Sequence, residues 1–427
     1  MLAERNMIKK LAAALACGAA TFATTVALQA ANAPTGGVPG TRAFVLNGLY
    51  IGGGGDPKGC QAQSPGNFDV YLAMLPPDKR AELSPPGKRG ELQKQMWKHF
   101  GFRRMRLWPG DFGGRAETAK LPSDVQLHVK PTPEQVRAIA ELNGFPRGRG
   151  SLAYQNQTIA YSSCTNPYDF PELAKGYVPY EGKISSGMNL DGKADPQSFT
   201  SPDGEKGVDN QLWRAVGCYK QQQEMNDPAF QEKVMLSARS PTLIEVSGID
   251  DPRNDSDVTV RVLTGADPLV RDGAGKPLAR ASFSLDPDPT LVNVMHGRIV
   301  DGVLTTDPAD IRFVFREQII DNLRVMRGAV IRATFRPDGG LDGGLYGYTT
   351  LTSYYDMIEH MTQDGADNVG MSCVGVRQAI DRFADGYRDR ATGKFTAISS
   401  EMRFHAVPAF VIGTAAGAGA QSQGTMR

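Results

Sequence analysis

From Ser240 onward, apolar and polar positions alternate in short β-branched runs: TLIEVSGI, VTVRVLTG, ASFSLD, LVNVMHGRIV, GVLTT, IRFVF and AVIRATF. A period of two turns one face of each run inward and the other outward, which is the signature of a strand. DDPRNDSD, RDGAGK and LDPDPT separate the runs, and their Asp, Gly and Pro content predicts tight connecting loops. Seven such strands between residues 242 and 335 predict an antiparallel β-sandwich, jelly-roll-like or Ig-like. A further strand is expected at TRAFVLNGLYI, residues 41–51, ended by the flexible GGGGDPKG.

Helical spacing interrupts this pattern in several places. Leu92, Met96 and His99 or Phe100 recur on one face of residues 88–100. Thr132, Pro133 and Gln135 form a helix start before EQVRAIAELN, and Gly144 ends it. After the turn SPDG, Asp209 or Asn210 stands where a cap belongs, ahead of a stripe through Leu212, Val216 and Tyr219 with Trp213 beside it. Val376, Ile380 and Phe383 mark a last amphipathic helix that stops at Gly386. The chain therefore reads as mainly β with helical insertions. A mixed α/β N-terminal region covers residues 34–180, and a sandwich region with C-terminal helices covers 181–412. The small, polar stretch 413–427 predicts a disordered tail.

The first residues belong to targeting and not to the fold. Lys9 and Lys10 precede the small-residue apolar run LAAALACGAATFATTVAL, and LQAANA follows. This predicts a signal peptide over residues 1–33 cleaved after Ala30, with Met1 or Met7 as the start, and a periplasmic or secreted product. No later run is long enough to span a bilayer. Removal of Cys17 leaves Cys60, Cys164, Cys218 and Cys373, an even set that an oxidising compartment can pair in three ways.

Charge changes the picture only locally. A net charge of +1 over 427 residues gives no global reason to expect nucleic acid. Residues 79–106 carry nine Lys or Arg against two Glu, interleaved with aromatic residues. Arg103, Arg104 and Arg106 are candidate contacts for a polyanion such as lipopolysaccharide, against the plainer reading of a solvated helix face. Residues 247–310 carry eleven Asp and six Lys or Arg, which turn chemistry mostly explains.

Candidate chemistry is sparse, since GxSxG, P-loop, HExxH and dinucleotide signatures are all missing from the sequence. Asp203, Glu205 and Asp209, with Asp191 and Asp195 upstream, offer hard oxygens for calcium, although the spacing departs from an EF-hand. The competing reading is a turn followed by a helix cap. Asp356, His360 and Asp364 share a helix face at four-residue spacing and form an alternative polar site. His296 and His405 sit in strand-like apolar runs and read as core histidines.

The stretches SSGMNLDGKAD, FTSPDGEKGVDNQL, LIEVSGIDDPRNDSDV, GRIVDGVLTTDP and GYRDRATGKFTAISS resemble those of exported bacterial proteins of unassigned function. The resemblance spans about residues 185–410 and implies an envelope location and a β-rich body, but no reaction. The expectation is an exported, noncatalytic binding or structural module that meets envelope glycan, lipopolysaccharide or another envelope protein. The alternative is a hydrolase of envelope or extracellular polysaccharide that works through a carboxylate pair.

Overall fold

In a computed structural model, residues 39–412 are described apart from 55, 57, 109–110, 113–156, 225–227, 237, 239, 318–319, 361–365 and 368. The expected signal peptide, the helix after Thr132, Asp364 and the C-terminal tail lie outside the described residues. Among those described, strand outweighs helix.

The strands are β1 (Arg42–Ile51), β2 (Arg103–Trp108), β3 (Asp111–Phe112), β4 (Gln157–Tyr161), β5 (Phe199–Thr200), β6 (Lys206–Val208), β7 (Thr242–Ser247), β8 (Asp255–Thr264), β9 (Ala281–Ser284), β10 (Asn293–Val300), β11 (Val303–Thr306), β12 (Ala309–Glu317), β13 (Ile320–Phe335), β14 (Leu341–Thr350), β15 (Gly386–Arg388) and β16 (Phe395–Ile412). Neighbours pair in the order β1-β7-β8-β10-β11-β13-β14-β16, and β16 pairs again with β1, so these eight strands close into a ring. β9, β12 and β15 join it as additional members. The sequence predicted two facing sheets; the structure has one sheet that meets itself. Closure depends on β1, which comes from the region expected to be a separate unit. Its strand lies between β7 and β16, with Val45 opposite both Leu243 and Val407.

Alternation explains which side chains fill the ring. Along β10, Asn293, Met295, Gly297 and Ile299 point inward, while Val294, His296, Arg298 and Val300 point out. The inward set meets Phe44, Leu46, Ile244, Val260, Phe313, Phe315, Ile331, Leu345 and Phe404 in one buried cluster. The interior is therefore a packed core and not a ligand chamber. His296 is 71% exposed and is not a core residue, because its position in β10 falls on the outer face. His405 is half-buried on the same outer side of the ring, where its Nδ1 lies 3.1 Å from Asp342 Oδ1.

Helices cover part of that outer wall. They are α1 (Asn67–Met74), α2 (Pro77–Leu83), α3 (Arg89–Phe100), α4 (Gln211–Val216), α5 (Lys220–Glu224), α6 (Pro228–Met235), α7 (Leu351–His360) and α8 (Cys373–Phe383). Leu212, Trp213, Val216 and Tyr219 pack with Tyr354, Ile358, Val376 and Ile380 in a second core between α4, α7 and α8. Two disulfides, Cys60–Cys218 and Cys164–Cys373, lock this layer and fix one of the three pairings. A third cluster joins α1 and α3 through Phe68, Tyr71, Leu92, Met96 and Phe100. There Asp367, fully buried, accepts hydrogen bonds from Asn67 Nδ2 (2.8 Å) and Trp97 Nε1 (3.0 Å). Among the described residues, no helix is long and apolar enough to cross a membrane.

Candidate functional site

The loop between Asp203 and Asp209 distributes its carboxylates to separate structural tasks. Asp203 bonds the Ser201 hydroxyl. Glu205 accepts the Asn189 N–H at 3.1 Å and lies 3.4 Å from Arg332 Nη1. Asp209 Oδ2 accepts the N–H groups of Leu190 (2.8 Å) and Asp191 (3.3 Å). Asp195 folds back on Gln197 and Ser198. Among the described residues, no three His, Cys, Asp or Glu side chains are arranged to hold a metal ion. The cap of α4 is Asn210: its Oδ1 accepts from Trp213 N, while its Nδ2 donates to the Gly52 and Ser186 carbonyls.

The other sequence candidates are dispersed. Asp356 is exposed on α7, and His360 ends that helix. Arg103, Arg104 and Arg106 lie on β2, and their side chains are outside the described residues. The rest of the basic segment is largely occupied. Lys79 pairs with Glu82 at 2.7 Å and Lys88 with Glu91 at 3.2 Å. Arg80 donates to the carbonyls of Leu72, Ala73 and Leu75.

What the sequence did not reveal is that Asp209 meets a carboxylate from the far end of the chain. Asp385 follows α8 and accepts two hydrogen bonds from Ser399 on β16, one from its N–H and one from its hydroxyl, both at 2.7 Å. The Ser399 hydroxyl in turn accepts the N–H of Gln211, two residues after Asp209, at 2.9 Å. Burial pushes Asp209 up to about 6, against the hydrogen bond from Leu190 and with help from Asp191. Burial likewise pushes Asp385 up to about 6, opposed by Ser399 and reinforced by the negative charge of Asp209. The charge of Asp209 thus adds to burial in opposing the ionisation of Asp385.

Aromatic residues flank the pair. Tyr348 on β14 stands opposite Ser399, and its phenol is raised by burial and then by Asp209 and Asp385. Gly386 lies flat on the Tyr348 ring, where any Cβ would collide with it. The next residue, Tyr387, meets Tyr348 edge-on with centroids 5.5 Å apart and is 43% exposed. Its backbone is left-handed at φ 50°, an unusual state for a bulky residue and one concentrated at functional positions. The Arg327 guanidinium lies 5.1 Å from the Tyr387 ring centre. Only the end of a helix at Gly386 was legible in FADGYRDR, because nothing local announces Ser399 or Tyr348 as neighbours.

Toward the other end of the same wall stands Glu401. It is buried, accepts from the Ser186 hydroxyl, and its carboxyl is raised by desolvation against the opposing effects of Ser186 and Arg403. Gly52 passes so close that a Cβ there would overlap the Glu401 carboxyl, which explains one glycine of the GGGG run. Gly53 makes the same close approach to the Trp213 ring.

Comparison with family models, with curated proteins and with solved structures finds no match for this chain.

Proposed function

We propose that the chain is an exported, noncatalytic binding module that holds a hydroxyl-rich ligand, an envelope glycan, on the outer wall of its strand ring. One observation carries this reading: exposed Tyr387 meets Tyr348 edge-on, and Tyr348 in turn lies within the field of the Asp209 and Asp385 carboxyls. An aromatic face offers a stacking surface for the apolar side of a sugar ring, and carboxyl groups offer hydrogen bonds to its hydroxyls. The two disulfides fit a secreted protein. Binding calorimetry with soluble peptidoglycan and lipopolysaccharide-core fragments tests it. Wild type should bind at least one fragment, and Tyr387→Ala should weaken that binding by about tenfold, as expected for loss of one aromatic contact in a small site. No binding across the panel, or binding indifferent to Tyr387→Ala, overturns it.

A second reading, a hydrolase that uses Asp209 and Asp385 as acid and base, draws on one specific feature. Two carboxyls held near 6, one within the field of the other, suit proton transfer at neutral pH. Release of reducing ends from the bound glycan, abolished in Asp385→Asn with binding retained, would favour this reading over the noncatalytic one.

A further inference from the structure

Four residues along β14 from Tyr348, the outer wall carries a row that crosses four strands. Arg332 on β13 stands opposite Gly344 on β14, Gly344 opposite Arg403 on β16, and Arg403 opposite Tyr50 on β1. Residues in register across a sheet share a face. Ile331 and Ala333, Met402 and Phe404, and Leu49 and Ile51 are buried on either side of these positions, so the row faces outward. Two strand spacings put the Arg332 and Arg403 backbones about 10 Å apart, within joint reach of one small anion between them. Gly344 leaves the space between them without a side chain of its own, and the Tyr346 hydroxyl folds over it where a Cβ would collide.

The hydrogen-bonding capacity of this row is largely unspent. Arg403 is 52% exposed on its side chain, and its Nε comes no nearer than 3.7 Å to Glu401 Oε1. Among the described residues, the Arg332 guanidinium, 39% exposed, pairs with Glu205 alone, at 3.4 Å. The Tyr346 hydroxyl has no hydrogen-bond partner among the described residues. Its phenol responds to burial first, then to Glu401, Arg332, Arg403 and Glu205, which places all four charged groups around it. Burial keeps that phenol protonated, so it is a donor. The two nearby carboxylates are already engaged: Glu205 takes the Asn189 N–H with its other oxygen, and Glu401 is held by Ser186.

We propose that Arg332, Arg403 and Tyr346 form an oxyanion subsite, so that the glycan bound at Tyr387 and Asp385 is an acidic one, carrying a uronate carboxylate or a phosphate ester. This rests on the glycan-binding reading and specifies its ligand. Guanidinium groups and a neutral phenol are matched donors for such a group, and charge-assisted bonds are about twice as strong as neutral ones.

The test is calorimetry on the full mature chain with three probes: oligogalacturonate, the same oligomer fully methyl-esterified, and a phosphorylated oligomannose. At least one anionic probe should bind about tenfold more tightly than the ester, and Arg403→Gln and Arg332→Gln should each erase most of that preference. Tyr346→Phe, which keeps the ring, should lower anion affinity about threefold without touching ester affinity. Preference for phosphate over both galacturonate forms supports the subsite with phosphate as its source. Equal affinity for ester and acid, or preference unchanged in both arginine variants, overturns the subsite while leaving glycan binding intact. Failure of all three probes to bind overturns the glycan reading and the subsite together. An unchanged melting temperature in Tyr346→Phe ensures that the result does not depend on an arginine variant that misfolds.

Discussion

Asp209 and Asp385 illustrate how single residues acquire properties that their identity does not carry. Each is an ordinary acid in water, with a pKa near 3.9. Each is raised to about 6 mainly because folding removes it from solvent faster than its hydrogen bonds compensate. A carboxyl whose folded value exceeds its unfolded value binds more protons in the native state between those two values. Its stabilising contribution is therefore full below about pH 4 and is lost as pH rises through about 6. Acids such as Asp203, Asp255 and Asp389, which are lowered by hydrogen bonds, act in the opposite direction, and their stabilising contribution is lost as pH falls. The two effects are separable by difference. Urea unfolding of wild type and Asp385→Asn at pH 4.5 and pH 7 should show the variant gaining relative stability at the higher pH, by about 1 to 3 kcal/mol. A relative stability that is the same at both pH values would show that Asp385 ionises as it does in water. Little of this was legible beforehand: Asp209 stood out only as a cap residue or a calcium ligand, and the environment of Asp385 is built from Ser399 and Asp209, 14 and 176 positions away.

At the scale of elements, α4 is short and takes its position from contacts that its own propensity could not supply. Six residues make a marginal helix in isolation, so its existence depends on its cap and its apolar face. The apolar face was visible in the spacing of Leu212, Val216 and Tyr219, all of which are buried. The cap was visible as a choice between Asp209 and Asn210, and the structure assigns it to Asn210. What the spacing could not show is that the Asn210 amide also holds the Gly52 and Ser186 carbonyls, the former from β1's exit and the latter beside Glu401. Asn210→Ala thus removes a cap, worth about 0.5 to 2 kcal/mol, and also strands buried carbonyl acceptors, which costs about 1 to 3 kcal/mol. The expected loss is about 2 to 4 kcal/mol in chemical denaturation, larger than any surface cap would give. Asp209→Asn, which preserves shape, should cost less than Asn210→Ala; the reverse order would mean that the Asp209 interactions with Leu190 and Asp191 hold the loop.

For the whole molecule, the strands were legible one by one, because β10 and its neighbours alternate cleanly, whereas their closure was not. Ring closure needs β1 to meet β16, from Ala43 opposite Ala409 to Ile51 opposite Met402, and no local pattern encodes a pairing across some 360 residues. The same long range governs the covering layer, whose stability the cysteines help to secure. Cys60–Cys218 and Cys164–Cys373 span 158 and 209 residues. In the chain-entropy account, closure cost grows only as the logarithm of loop length, so these spans differ by about 0.3 kcal/mol in what each removes from the unfolded state. Any larger difference must then arise in the native state. Cys164 and Cys373 are both fully buried against Ile380 and Met371, whereas Cys60 is only partly covered beside the Gly-rich loop. Replacing either pair by alanines should cost about 2 to 5 kcal/mol. The Cys164→Ala/Cys373→Ala variant should lie at the upper end of that range, because it also vacates space in a core that cannot collapse freely. Thiol counting on denatured, unreduced wild type should find none of the four free. Four reactive thiols would contradict both bridges, and a smaller loss from the Cys164–Cys373 pair than from Cys60–Cys218 would contradict the assignment of the difference to buried packing.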